Sequence, residues 1–567
     1  MRGYVGLVAV GTLLTLPCQL HAVIIAARSV ALADVSSAVA SASDGDAVVV
    51  PAGSASWTSP LTITKAITLR GAGENATVIL DDIAGANRHG QPRAAQSHRL
   101  GPGQLPRQTR WSNFPKTGPL AGRGNSGRLG NSAIIRIEIS TSNPLRISGF
   151  TLRYGSGSSA SDVAIALSGT CPAIRVDHCH FDQLYTGHNI QISGWLYGVI
   201  DHCVFDIRSG NGRGTAATAL VSHPSWGNQP SGWGSWADPP YFGSEKFIFL
   251  EDNVINNLGK APNGGTIDAD RGGRYVARYN TLNNLNIFYH GSDTGAGGMY
   301  LRGARAVEIY NNTFHSTHPL HPAGQCRGGS LLWHDNKYMG TFKNGMALRV
   351  YRLFQGGPVR MGKWGAANGT SPWDCNATEK DGTHVDGHAP YTFASGTHTG
   401  ANDSTVVTVS GDPWQPNQWV GYSVTNTNSA SPYFNGAAYI IGNTANTLTM
   451  LPGNDRPFPR FNTGDTFAIH KVLIVLDQPG RGKGDLIRGT PTNAVAAWPH
   501  QELEPCYSWN NTLNGDNVDF APATTKSLLR EGVDYYNNTP MPGYKPFPYP
   551  HPLTKADAKP GGFTKGN

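Results

Sequence analysis

Seven segments of this chain share one pattern. Apolar and polar residues alternate, an Asn or Cys follows, and two places later comes a large apolar side chain. The segments run over residues 174–181, 199–205, 247–255, 275–282, 307–314, 331–338 and 507–513. Their aligned column is Cys179, Cys203, Asn253, Asn280, Asn312, Asn336 and Asn511. Up to Asn336 the spacings are 24, 50, 27, 32 and 24 residues, and the 50 fits two coils or one coil with an insertion. Alternation is the mark of a strand with one buried face. A polar column after each strand marks a bend, and Asn tolerates the left-handed backbone such bends use. Strand, bend and strand repeated at this period make a β-solenoid. Stacked Asn side chains then hydrogen-bond from coil to coil, about 4.8 Å apart. Cys179 and Cys203 share the column and read as small core residues.

Composition agrees with a turn-rich β protein. Of 567 residues, 70 are Gly and 38 are Pro, and only 15% are charged. A coiled coil would be rich in Ala, Glu, Lys and Leu. A disordered chain would lack the aromatic residues seen here.

The N-terminal stretch adds a specific likeness. Residues 34–43 read as a short amphipathic helix fit to cap an open solenoid end. GDAVVVPAG (45–53), LTITKAITLRGAG (61–73) and ATVIL (76–80) follow. This opening resembles the first coils of the pectate-lyase-like right-handed parallel β-helix superfamily. The IDHC of residues 200–203 is similar to the W-I-D-H stretch of pectate lyases, without its Trp. Residues 266–314 resemble a segment recurrent in exported β-helix proteins. The likeness covers most of residues 23–360 and 473–552. It implies an all-β, right-handed parallel β-helix, a fold that carries lyases, hydrolases, epimerases and phage adhesins.

The expected organisation is a signal peptide over 1–22, a parallel β-helix over 23–390 and an inserted small β module over 391–471. A return to the helix over 472–567 ends in a Pro- and aromatic-rich strap. Arg2 and the apolar run 5–16 give the signal, which is too short to span a bilayer. A secreted or periplasmic protein is expected, without a membrane span, and a monomer. Six cysteines remain after the signal, Cys171, Cys179, Cys203, Cys326, Cys375 and Cys506, and a Cys326–Cys375 bridge is one expectation. The module reads as a lid or spacer, or as a sugar-binding unit.

Two faces hold candidate chemistry. Counting two and four back from the ladder column gives outward residues that include Arg278, Glu308, Tyr310, His334 and Trp509. They form a candidate substrate-binding stripe, or else charges stacked across strands that stabilise the sheet. A second face precedes these strands. Aligning its glycines sets Arg271, His290 and Arg327 on successive coils, with Asp268 and Asp270 in the same strand region. The Gly-rich excursion after His290 adds Arg302 and Arg305. Arginines suit carboxylate neutralisation, and His suits a base near neutral pH. Asp268 and Asp270 are candidate Ca²⁺ ligands. The plainer reading has His290 capping a turn and the aspartates bonding neighbouring coils.

These residues suit β-elimination on a uronate-containing polysaccharide. Superfamily lyases often use Arg or Lys as base, so a His base departs from that pattern. A glycoside hydrolase using Asp268, Asp270 and Glu308 is the second reading, and a non-enzymatic glycan-binding surface protein or adhesin the third. No P-loop, dinucleotide fingerprint or HExxH motif has the right context, and nucleic acid is not an expected partner. The net charge of +7 is local. Residues 83–137 hold nine Lys or Arg and no Asp or Glu, so the rest of the mature chain is slightly acidic. That basic loop is either a solvated excursion or a flap that steers an acidic polymer.

Overall fold

In a computed structural model, the described residues are 22–83, 133–156, 163–183, 188–208, 217–223, 235–236, 238–259, 266–291, 293–294, 300–301, 303–318, 322–349, 392–420, 423–434, 437–452, 460–470, 479–482, 502–522, 529 and 531–557. Residues 1–21 of the expected signal peptide, most of the basic loop and Cys375 lie outside them.

The chain winds into the right-handed parallel β-helix that the resemblance implied, a form of the solenoid expected from the repeat. One coil shows the plan. Pro322–Cys326 lies on one face, Ser330–His334 on the next and Lys337–Gly340 on the third. Asn344–Leu348 then begins the following coil, paired in parallel with Pro322–Cys326. The sheet holding Ser330–His334 runs from Ile24–Ala26 to Tyr535–Tyr536. The sheet holding Lys337–Gly340 runs from Gly53–Trp57 to Asp516–Asn517. The remaining face contains Ala217–Ser222 and Thr266–Asp270, then Ile287–Tyr289, Pro322–Cys326 and Asn344–Leu348. Inside, Ile, Val, Leu and Phe side chains stack in columns, among them Phe181 on Phe205 and Phe314 on Tyr338.

The Asn column is a continuous buried ladder. Nδ2 of Asn253 donates to Oδ1 of Asn280 (3.0 Å), Asn280 to Asn312 (2.9 Å), Asn312 to Asn336 (3.0 Å) and Asn336 to Asn511 (2.9 Å). Each Oδ1 also accepts the backbone N–H of the Asn one coil earlier. Cys179 and Cys203 sit buried at the head of the column. The left-handed residue is not the Asn itself but the one before it: His178, His202, Asp252, Tyr279, Asn311, Asp335 and Asn510 have φ between 49° and 56°. The bend therefore uses an exposed or half-buried neighbour, while the Asn turns inward to bond.

The capping helix covers Leu32–Ser41, two residues earlier than expected, and buries Val35, Ala38 and Val39 over the first coil. Lys65 Nζ donates to Ala40 O (2.8 Å) near its C-terminus, where a cation meets free carbonyls. Residues 392–470 form a separate six-stranded antiparallel sheet with its own core of Val407, Val424, Leu448, Phe461 and Phe467. Cys326 is a buried free thiol, which corrects the expected Cys326–Cys375 bridge.

The expected substrate-binding stripe is corrected too. Arg278, Glu308, Tyr310, His334 and Trp509 do face away from the core, but all are buried. The C-terminal strap lies over them. Arg278 donates to Glu251 (2.7 Å), to the Tyr310 hydroxyl (3.0 Å) and to the carbonyls of Phe547 (2.6 Å) and Pro548 (2.9 Å). Tyr544 donates to Glu308, and the His551 amide to Glu251 (2.8 Å). Tyr549 stacks on Tyr279. Tyr310, His334 and Trp509 stack on one another across coils, at 4.7 and 4.0 Å. Alternation places these residues outside the sheet, but cannot tell water from a returning segment of the same chain.

Candidate functional site

The other face builds a different row. In Thr266–Asp270, Ile267 and Ala269 enter the core, so Asp268 and Asp270 point out. The next strand does the same, with Ile287 and Tyr289 inside and Phe288 outside. Parallel pairing sets Phe288 beside Gln325, and the step beyond sets His290 beside Arg327. His290 N–H donates to Ala269 O (3.0 Å), so the coil below is in the same ladder. Gly291 follows because the coils close up tightly there. A Cβ at that position would lie 2.0 Å from Arg327 O.

His290 and Asp268 meet across these coils. Nδ1 of His290 is 2.9 Å from Oδ1 and 2.8 Å from Oδ2 of Asp268. The carboxylate is buried, while the imidazole retains 27% of its exposure. A carboxylate on Nδ1 fixes the ring and places the lone pair of neutral imidazole on Nε2. Asp270 accepts from the Ser222 hydroxyl and lies 3.9 Å from Arg271 Nε. Arg271 takes a left-handed backbone, φ 48°, at the corner that ends this strand. Arg327 lies over the Phe288 ring at 4.9 Å and donates to Gln325 Oε1 (3.1 Å).

The structure thus brings Asp268 to His290 and sets Asp270, His290 and Arg327 in one row on successive coils, whereas Arg271, aligned with them in the sequence, sits one residue past that row beside Asp270. It does not bring Arg305 there. Arg305 is buried and binds Glu504 (2.6 and 2.9 Å) and Asp238 O (2.6 Å), under the Trp236 ring. Its charge ties strand Ala306–Tyr310 to Trp236, Asp238 and Glu504. Arg302 lies outside the described residues.

The aspartates do not fit the expected Ca²⁺ site. Ca²⁺ takes six to eight oxygens. Asp268 is directed at His290, and Asp270 at Ser222 and Arg271. Among the described residues no three His, Cys, Asp or Glu side chains gather as a metal site.

Phe288 and Gln325 escaped the sequence reading, although a signal existed. Each lies two residues before a named candidate, on the same outward side. Arg274 also escaped it: this fully buried cation donates to Ser235 O (2.7 Å), and burial lowers it to about 10.

No family model and no curated protein matches the chain. Among solved structures, an alginate lyase from Paenibacillus sp. is similar at 12% identity over 59% of this chain and 98% of its own, with a TM-score of 0.30. DFA-IIIase from Arthrobacter chlorophenolicus is similar at 10% identity over 56% and 79%, with a TM-score of 0.27. The A-module of a mannuronan C-5 epimerase from Azotobacter vinelandii is similar at 13% identity over 56% and 87%, with a TM-score of 0.16. Likenesses at this level carry no argument about activity.

Proposed function

We propose that this chain is an exported enzyme that cleaves an acidic, uronate-containing polysaccharide by β-elimination. The observation that carries the reading is the Asp268–His290 pair, with Arg327 one coil on in the row of His290 and Arg271 at the adjoining corner beside Asp270. Elimination removes the proton α to the uronate carboxyl group. In this proposal Nε2 of His290 takes that proton, with Nδ1 held by Asp268. The C–H electron pair becomes the new C=C bond, and the C–O bond to the leaving sugar breaks. The leaving oxygen takes up a proton. Arginines suit the enediolate that forms on the way, because they hold a fixed charge and bind carboxylates in a bidentate manner. Hydrolysis needs two carboxylates placed for acid and base work. Asp268 and Asp270 are engaged by His290 and Ser222, which favours elimination over that second reading. The apolar run 5–16 after Arg2 supports export.

The test is product analysis after incubation with polymannuronate, polyguluronate, polygalacturonate and glycosaminoglycans. Elimination releases fragments with an unsaturated end, one water lighter than hydrolytic ones. Hydrolytic masses, or binding without cleavage, would reject the proposal.

A further inference from the structure

Arg349 continues the row that holds His290 and Arg327. Cys326 pairs with Leu348 in parallel, and both enter the core. The Arg349 N–H donates to Cys326 O (2.8 Å), so the ladder runs one residue past the strand. That bond sets Arg349 over Arg327, one coil further on, at a rise of about 4.8 Å. Alternation then gives both arginines the same outward side as Gln325 and Ala347.

The two arginines differ in what surrounds them. Arg327 has the Gln325 carbonyl as acceptor and the Phe288 ring beneath it. On the Arg349 coil the residue matching Gln325 is Ala347, which offers no acceptor. Arg349 is half-buried, and its Nε is buried without a protein partner. Among the described residues it forms no ion pair. The carboxylate in its own row, Asp270, belongs to an earlier coil beyond His290 and Arg327. The buried Nε–H thus lacks an acceptor that would offset its desolvation.

We propose that Arg349 binds a second carboxylate of an acidic saccharide chain, beside the one at Arg327. The proposal rests on the reading that the ligand is a uronate polymer. It makes Arg349 a binding residue that selects charged over neutral sugars, one rung removed from the reacting bond.

The experiment compares the full-length protein with Arg349→Gln and Arg349→Lys. Calorimetry measures binding of a uronate tetrasaccharide and of a neutral tetrasaccharide, and thermal melting checks the fold. Arg349→Gln is expected to keep its melting point and to lose about 10- to 100-fold in uronate affinity, the usual range for one charge-assisted contact. Arg349→Lys retains part of that affinity, and binding of the neutral sugar does not change. On a cleaved polymer the glutamine variant raises KM with kcat nearly intact. Unchanged uronate affinity overturns the proposal. So does equal loss for the neutral sugar, or a wild type that binds no uronate. A wild type that binds uronate through Arg349 but yields no unsaturated product refutes the lyase reading and leaves this site standing.

Discussion

His290 and Asp268 sit on adjacent turns of one face, with Nδ1 2.9 and 2.8 Å from the two carboxylate oxygens. The pair gives the imidazole a fixed orientation and a fixed tautomer. Asp268→Asn is therefore expected to lower kcat roughly 10²- to 10⁴-fold, the range that positioned acid–base groups supply, with KM little changed. Steady-state kinetics with a pH profile checks this. A purely structural Asp268 would instead lower the melting point and leave the profile unshifted.

The ladder and this face were legible in the sequence for different reasons. Asn253, Asn280, Asn312 and Asn336 recur because each coil repeats the same bend, so spacing alone exposes them. His290 and Arg327 align because glycines mark the same corner on successive coils. What covers each face was not legible. Arg278 and Glu308 alternate outward as a wet stripe would, yet residues more than two hundred positions later close over them. Arg305 looked like another face arginine, but its partner Glu504 lies beyond the inserted module. Periodicity reports which side of a strand a residue takes, not which distant segment returns to it.

The strap should respond to pH through Glu308. Burial pushes this carboxyl up to about 7, against the bonds from Tyr544 and the Gly243 amide and the charge of Arg278, which favour the anion. The folded state thus holds a proton that the unfolded chain releases near the ordinary Glu value. Stability from this group is complete below that value and declines as pH rises toward about 7, by about 3 kcal/mol in all. His551, lowered to about 4 by burial, works in the opposite direction as pH falls. The difference between wild type and Glu308→Gln cancels the histidine. Denaturant melts from pH 4 to 8 should show the glutamine variant gaining on wild type as pH rises. A constant difference would contradict the assignment.

Arg278 joins Glu251, Tyr310 and two strap carbonyls in one buried cluster. Arg278→Ala leaves Glu251 buried without its cation, and should cost about 3–5 kcal/mol. Limited proteolysis should then cut within residues 541–557 first. Destabilisation without earlier cleavage there would mean that the cluster does not hold the strap.

Asn312→Ala interrupts the ladder at mid-length. It removes the acceptor of Asn280 and the donor to Asn336 and to the Ala277 carbonyl. Several buried groups lose partners together, so a loss of about 3 kcal/mol is expected by chemical denaturation. A change below about 0.5 kcal/mol would show that the ladder contributes little.

The most direct test of the central claim follows the ultraviolet absorbance of new unsaturated chain ends on a uronate polymer, for wild type and for His290→Gln. Wild type is predicted to give a steady rise that chelator does not abolish. The variant, folded to the same melting point, is predicted to give none above background. An undiminished rise in His290→Gln would contradict the assignment of His290 as the base.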